Sequence, residues 1–152
     1  MKSPAFVLDN SVVMAWALAE EDPGAERVMN LLVGREGRVA GVWPLEFANA
    51  LLVAERHNRL SEAGAVEVRE MVLALPIRVV SETPDRVLTA VLALAREHGL
   101  SVYDASYLDL AMREGLPLAT LDERLRDAAR RCSVPLLLDS PVAPKPSRRA
   151  RR

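Results

Sequence analysis

Short apolar segments alternate with longer helical stretches along most of this chain, and that alternation limits the fold more than any other feature of the sequence. The short segments are rich in Leu or β-branched residues and are bounded by Pro, Gly or charged residues, as strands are. They cover residues 5–8, 38–42, 77–80, 118–120 and 136–138. Strands that alternate with helices are typical of a parallel sheet covered by helices. The sequence therefore predicts an α/β fold with a central parallel sheet of about five strands.

Capping residues mark the predicted helices. Pro44 suits the first turn of a helix, and Gly99 and Gly115 suit the position just after a last turn. Ser61 and Thr83 each precede a stretch with helical signals. The predicted helices cover residues 44–57, 61–75, 83–98, 103–114 and 122–131. Helices between strands supply the crossover connections that parallel pairing requires.

The composition is that of a globular protein. Half of the 152 residues are apolar and 27% are charged, which favours one domain with a sizeable core over a disordered chain. No apolar run approaches the ~20 residues of a membrane span, and residues 1–8 lack the features of a secretory signal. The single Cys132 cannot form an internal disulfide, suits a reducing compartment and is expected to be a buried structural thiol. We therefore expect a cytoplasmic protein that does not enter a membrane.

Charge is unevenly distributed along the chain. Residues 145–152 carry one Lys and four Arg without an acid, so the total of -1 leaves a net charge of -6 on residues 1–144. A Pro-rich stretch precedes this basic end. The sequence predicts a folded domain over residues 1–139 and a disordered Pro/Arg-rich basic tail over residues 140–152.

Four acids stand in apolar surroundings, where a carboxylate needs an explanation. They are Asp9, Glu46, Asp104 and Asp122. Asp9 and Asp122 follow predicted strands, Glu46 lies in the first turns of the helix after the second strand, and Asp104 begins a helix. Ligands of open α/β sheets bind at the carboxyl ends of the strands. The four acids are therefore expected to meet in one cleft.

A divalent cation is the simplest partner for such a cluster. Burying ionised carboxylates costs several kcal/mol unless they are paired, and no Lys or Arg lies within a helical turn of Asp9, Glu46 or Asp104. Oxygen ligands suit Mg²⁺ or Mn²⁺. Such ions position phosphate and activate water, so the pattern favours hydrolysis of a phosphodiester.

Each acid also has a structural interpretation. Asp9 and Asp122 could cap the helices that follow them, and Asp104 could pair with a distant Arg. Asp109 falls on another face of its helix, where a salt bridge is the more common role. His57 and His98 lie near helix ends and far apart, which makes a poor zinc site.

Three segments, FVLDNSVVMAWAL, PLEFANALL and LSVYDASYLDLAMREGLPLATLDERL, resemble the PIN domain, and most closely the VapC-type toxins of bacterial toxin–antitoxin pairs. The resemblance covers about residues 5–139. It implies a three-layer α/β sandwich, a Mg²⁺- or Mn²⁺-dependent ribonuclease acting on single-stranded RNA, a homodimer and a cognate antitoxin partner. By position, the family's metal-site acids match Asp9, Glu46, Asp104 and Asp122. Ser11 matches a hydroxyl residue that supports the first Asp, and a further acid would be Asp109 or Glu123.

Other classes fit the sequence less well. A receiver domain would have an adjacent acidic pair after the first strand and a Lys after the last, and a haloacid-dehalogenase-like phosphatase would have Asp in place of Ser11. Gly-rich phosphate loops are absent. A catalytically inactive PIN-like binding module and a housekeeping RNA-processing PIN nuclease remain open alternatives. An antitoxin gene next to the gene for this protein would favour a toxin over a housekeeping nuclease.

Partner surfaces are expected in two places. The helices over residues 44–57 and 61–75 carry apolar residues beyond what a thin sheet can cover, which favours a homodimer and a nearby groove for an antitoxin helix. These residues are Leu51, Leu52, Val53, Val66 and Met71. The alternative is that these residues face the sheet. The basic tail could reduce repulsion between the acidic body and RNA, could dock on an acidic antitoxin, or could serve only solubility.

Overall fold

A computed structural model describes residues 4–138 and contains a four-stranded parallel sheet. The strands are β1 (Ala5–Leu8), β2 (Glu36–Ala40), β3 (Ile77–Val80) and β4 (Leu118–Ala119), in the spatial order β3-β2-β1-β4. All pairs are parallel. The predicted α/β class and its parallel sheet are confirmed. The predicted tail over residues 140–152 lies outside the described residues.

The strand count is four rather than the predicted five. Within residues 136–138, only Leu136 forms an isolated parallel bridge, to Leu118. The amide of Leu118 donates to the carbonyl of Pro135 (2.9 Å), and that of Leu137 donates to the carbonyl of Leu118 (3.0 Å). Proline has no amide hydrogen with which to extend a ladder, and β4 offers only two residues for pairing. The segment is therefore attached to the sheet edge without becoming a strand.

Two other strand limits differ from the prediction. β2 spans Glu36–Ala40 rather than residues 38–42, because the chain turns at Gly41 and Val42 to begin the next helix. β4 ends before Thr120, whose side chain takes part in the candidate site described below. At their carboxyl ends both strands stop short of the predicted limits, and there the chain leaves the ladder to build that site.

Helices connect the strands and cover the sheet. They are α1 (Asn10–Ala17), α2 (Pro23–Leu31), α3 (Trp43–Arg56), α4 (Glu62–Leu73), α5 (Pro84–Arg86), a π-helical segment (Val87–Val91), α6 (Leu92–His98), α7 (Val102–Glu114) and α8 (Glu123–Arg131). The five predicted helices are all present. α1, which the possible capping role of Asp9 implied, and α2 lie outside that set, and Asp22 caps α2 by accepting from two amides. No helix among residues 4–138 is long and apolar enough to span a membrane.

The predicted capping residues are confirmed. Ser61 accepts a hydrogen bond from the Gly64 amide (2.9 Å), and Thr83 accepts one from the Arg86 amide (3.2 Å). Gly99 and Gly115 end α6 and α7 with φ of 64° and 63°. A Cβ atom makes this left-handed conformation unfavourable, so glycine lets the chain turn back toward the sheet.

The core lies around β1. All four residues of β1 are buried, and since successive side chains point to opposite faces, both faces of the sheet are covered at this strand. α7 packs against β1, β2 and β4 and contributes the buried Tyr107, Leu108 and Leu110. α1 contributes the buried Val12 and Val13. The residues that directly follow β1 are therefore anchored by a rigid, buried strand.

Candidate active site

The candidate site lies where the strand order reverses. The chain builds β1, β2 and β3 outward in one direction and then places β4 on the other side of β1. Leu8 and Ala119 are register partners at the ends of β1 and β4, so Asp9 and Thr120 come next, side by side. The Asp9 amide donates to the Ala119 carbonyl (3.0 Å). This reversal is where open α/β sheets form their ligand crevice.

Two hydroxyl groups hold the carboxylate of Asp9, whose residue is only 4% exposed. Ser11 Oγ donates to Asp9 Oδ2 (2.6 Å), and Thr120 Oγ1 donates to the same oxygen (2.8 Å). Ser11 Oγ accepts from the Leu121 amide, and Thr120 Oγ1 from the Asp122 amide, both at 3.0 Å. The connection from β4 to α8 is thereby fastened to Asp9.

Glu46 is held by a buried tyrosine. It lies in the first turn of α3, and its Oε1 accepts a hydrogen bond from the Tyr107 hydroxyl (2.6 Å). Burial and the bond to Glu46 raise the pKa of Tyr107, so its hydroxyl remains a proton donor. The carboxylate therefore keeps a fixed orientation between α3 and α7.

Asp104 and Asp122 both lie at helix starts. Asp104 is in the first turn of α7, where its amide donates to the capping Ser101 Oγ (3.1 Å). Asp122 caps α8 through Oδ1, which accepts from the Leu125 amide (2.9 Å). The capping role that the sequence left open for Asp122 is therefore present in the structure, and it occupies one of the two carboxylate oxygens.

The charges of the four acids influence one another. Burial raises the pKa of Asp9, and the hydrogen bonds from Ser11 and Thr120 partly oppose it. Burial also raises the pKa of Glu46, with further increases from the charges of Asp9 and Asp104. The pKa of Asp104 is raised by burial and then by the charges of Asp9 and Asp122. Each acid thus lies within the field of at least one other.

No cation within the described chain relieves this repulsion. None of the four acids forms a salt bridge with a Lys, Arg or His among residues 4–138. Over the same residues, no three Asp, Glu, His or Cys side chains are arranged so that they could hold a metal ion without moving. The donor chemistry, four partly or fully buried carboxylates, fits a hard divalent cation.

The other candidate residues are engaged elsewhere or exposed. Asp109 is buried and accepts from Arg86 Nε (2.9 Å) and a second Arg86 nitrogen (2.7 Å), while Arg113 Nε lies 3.5 Å away. This ion pair neutralises Asp109, as the sequence suggested. Glu123 is exposed at the start of α8, beside Asp122.

Histidine and cysteine lie apart from the four acids. His98 accepts from Arg131 Nε at Nδ1 (3.3 Å), and its Nε2 lies 3.3 Å from Cys132 Sγ. Cys132 is partly exposed rather than buried as expected, and burial of its thiol raises its pKa, which disfavours a reactive thiolate.

Sequence reasoning missed Thr120 and Tyr107. Thr120 contacts Asp9 across 111 residues of chain, and its position directly after a strand that ends at the same edge was the available signal. Tyr107 lies three residues after Asp104 and so on the same helical face. That spacing would have placed it near the acids, although not specifically on Glu46.

Comparison with known proteins gives a consistent result. The family model described as PIN domain matches residues 6–131. A curated relative, Ribonuclease VapC3 of Pyrobaculum aerophilum, is 34% identical over 127 residues, which are 80% of this chain and 92% of that protein. The crystal structure of PAE2754 from the same organism has 29% identity and a TM-score of 0.62, covering 82% of this chain and 79% of that one.

Two more distant structures share the fold. VapBC2 from Rickettsia felis, crystallised with a DNA fragment from its promoter, has a TM-score of 0.63 at 10% identity and covers 87% of this chain and 96% of that chain. A toxin–antitoxin complex from Klebsiella pneumoniae has a TM-score of 0.54 at 14% identity, with coverage of 77% and 86%.

Proposed function

The chain belongs to the PIN-domain family, and we propose that it is a divalent-metal-dependent ribonuclease, the toxin of a VapBC-type toxin–antitoxin pair. The observation that carries this proposal is that four carboxylates near the strand-order reversal are close enough to raise one another's pKa, while none of them forms a salt bridge with a Lys, Arg or His among residues 4–138. The similarity to a protein named as a ribonuclease supports RNA as the substrate. Retention of all four acids counts against an inactive binding module.

Asp9, Glu46, Asp104 and Asp122 would hold the ion, Mg²⁺ or Mn²⁺. When bound, such an ion offsets the carboxylate charges and polarises a phosphate oxygen and a water molecule for in-line attack. Asp9 provides the most rigid ligand, because it follows a buried strand and two hydroxyls fix its Oδ2. Ser11 and Thr120 therefore act on the reaction by positioning Asp9.

Glu46 would offer the ion one oriented oxygen. The hydrogen bond from the Tyr107 hydroxyl occupies Oε1 and leaves Oε2 as the ligand atom. Burial and then the charges of Asp9 and Asp104 raise the pKa of Glu46, and a cation at the site would offset those charges. Neither His57 nor His98 has a contact with any of the four acids.

Protein partners are part of the proposal. Apolar side chains on α3 and α4 remain exposed, as the sequence suggested for most of them: Leu52, Val53, Val66 and Met71. Leu51 instead packs against the core. A groove between α3 and α4, lined by Leu51, Leu52, Ala65 and Val66 among others, lies on this face. We assign the exposed apolar side chains to a homodimer interface and the nearby groove to the helical segment of an antitoxin.

A cleavage assay tests the proposal. Purified protein is incubated with single-stranded RNA and Mg²⁺ or Mn²⁺, with and without EDTA. We expect cleavage that EDTA stops and that Asp9→Asn and Asp104→Asn reduce to background while circular dichroism stays unchanged. Asp127→Asn removes an exposed carboxylate from α8 and is the matched control, expected to cleave normally. Cleavage by both site variants at the wild-type rate would refute the proposed function.

A further inference from the structure

A pocket opens directly beside the four carboxylates. It has a volume of about 400 Å³ and is lined by Asn10, Val42, Leu45, Glu46, Asn49, Ala50 and Tyr103. We call it the base pocket. Volumes of roughly 300–1,000 Å³ are typical of small-molecule sites. Glu46 is both a lining residue of the pocket and one of the four acids, so the pocket adjoins the candidate site.

The chain itself joins the base pocket to the acids. Asn10 follows Asp9, and Tyr103 precedes Asp104. A phosphate group held at the acids therefore has this pocket as its immediate neighbour. The nucleotide attached to that phosphate would have to pass the pocket or enter it.

Two large apolar side chains at the base pocket are exposed to solvent. Tyr103 is 59% exposed on α7 and Leu45 is 76% exposed on α3. Single exposed apolar residues are common on protein surfaces, but these two come from different helices and line the same pocket. An aromatic ring with an accessible face is the usual platform for an unpaired RNA base.

The polar lining favours a base over a phosphate or a peptide. No Lys or Arg lines the pocket among the described residues, so it provides no charge for a phosphate. Asn49 is exposed and makes no hydrogen bond within residues 4–138. A free carboxamide both donates and accepts, which matches the edge of a base. A stable protein interface would need a far larger surface, about 800 Å² on each partner.

We propose that the base pocket binds an unpaired base of single-stranded RNA next to the scissile phosphate. The base stacks on Tyr103 against Leu45, and Asn49 contacts its edge. This inference rests on the proposed ribonuclease function. It makes Tyr103 and Leu45 positioning residues that orient the RNA strand and Asn49 a determinant of base preference, although none of them binds the cation.

The test compares variants on two RNAs, once the cleavage site has been mapped. One is a short single-stranded RNA, and the other is the same strand with an abasic site at the nucleotide beside the cleaved bond. Loss of an aromatic platform lowers affinity for a base by roughly tenfold. Tyr103→Ala should therefore lower kcat/KM about tenfold on the intact RNA, mainly through KM, and have no effect on the abasic RNA. Tyr103→Phe should behave as wild type.

A spectroscopic signal tests stacking without relying on turnover. With 2-aminopurine at the same nucleotide, rapid mixing with wild-type protein and Mg²⁺ should quench its fluorescence before cleavage, and Tyr103→Ala should abolish that early phase. Leu88→Ala, which removes another exposed leucine outside the pocket, should change neither measurement.

The outcomes separate this inference from the proposed function. If wild-type protein cleaves RNA but Tyr103→Ala has an unchanged kcat/KM, or loses the same factor on intact and abasic RNA, the base pocket is refuted and ribonuclease activity stands. If wild-type protein cleaves no RNA with either metal, the proposed function fails first.

Discussion

Asp9 shows how a carboxylate can be buried and yet be stabilised in its ionised form. Burial alone raises its pKa, while hydroxyl hydrogen bonds from Ser11 and Thr120 favour the ionised form. Both bonds go to Oδ2. The hydroxyls thus determine where the carboxylate lies and how readily it carries charge.

Removing either hydroxyl should weaken the site without unfolding the protein. Groups that hold a metal ligand in place typically contribute 10–100-fold in metal affinity or activity, so we expect Ser11→Ala and Thr120→Val each to reduce cleavage by roughly that factor. Thr89→Val also removes a hydroxyl, one that bonds to the Asp85 carbonyl far along the chain, and should have no effect. Full activity in both site variants would show that Asp9 needs no support.

The raised carboxyl pKa values predict how stability depends on pH in the metal-free protein. Asp9, Glu46 and Asp104 bind protons more tightly when folded than when unfolded, where their pKa values are near 3.8 for Asp and 4.5 for Glu. Their contribution to the free energy of unfolding therefore falls as pH rises from those values through the folded pKa values.

The Asp9→Asn variant has no ionisable group at this position, so its free energy of unfolding should depend less on pH. In urea unfolding with EDTA, we expect the variant to be more stable than wild type at neutral pH, with the difference shrinking as pH falls toward the unfolded carboxyl range. Asp85→Asn, which changes an exposed acid outside the site, is measured in parallel as the control. A difference that grows on acidification would contradict the assigned direction of the pKa shifts.

Among the secondary structure elements, α7 has the largest share of the site. It carries Asp104 in its first turn, Tyr103 before it and Tyr107 one turn later. Its start is fixed by Ser101, whose hydroxyl accepts from the Asp104 amide itself. The cap therefore acts on the backbone of a candidate metal ligand as well as on helix stability.

Two cap variants separate stability from function. Ser101→Ala and Ser61→Ala each remove one N-cap hydrogen bond, which costs about 1 kcal/mol of unfolding free energy. We expect similar losses of stability in denaturant unfolding, but a drop in RNA cleavage only for Ser101→Ala, because α4 carries none of the four acids. An equal effect of both variants on cleavage would mean that only global stability was affected.

Local signals explain what the sequence predicted correctly. Helix starts at Ser61 and Thr83 and helix ends at Gly99 and Gly115 depend on residues within one turn, so they can be identified without tertiary information. Strand limits depend on partners. The segment at residues 136–138 has strand-like composition, but β4 is too short to pair with more than one of its residues.

The same distinction applies to the candidate site. Asp9, Glu46 and Asp104 were recognisable because each is an acid in an apolar setting, and the α/β alternation implied a common edge. Thr120 and Tyr107 are ordinary residues locally, and their importance comes from contacts across 111 and 61 residues of chain. Such contacts depend on how the strands and helices are arranged in space, and local sequence signals do not predict that arrangement.

For the whole molecule, the exposed apolar face of α3 and α4 predicts self-association. Val66 is 40% exposed and lines a groove together with Leu52, and a charge buried at an interface without a partner is strongly unfavourable. We expect wild-type protein to be a dimer by light scattering and Val66→Glu to be a monomer with an unchanged circular dichroism spectrum. Val33→Glu, at a 90% exposed position after α2, should remain a dimer. A monomeric wild-type protein would exclude this interface.

Direct metal binding by the four carboxylates tests the proposed site without requiring knowledge of the RNA substrate. In isothermal titration with Mn²⁺, wild-type protein should bind the ion, and its affinity should fall as the pH is lowered, because carboxyl groups must be ionised to act as ligands. Asp9→Asn and Asp104→Asn should abolish binding, whereas Asp127→Asn should bind like wild type. Absence of binding by wild-type protein, or equal binding by all four proteins, would contradict a metal site at these residues.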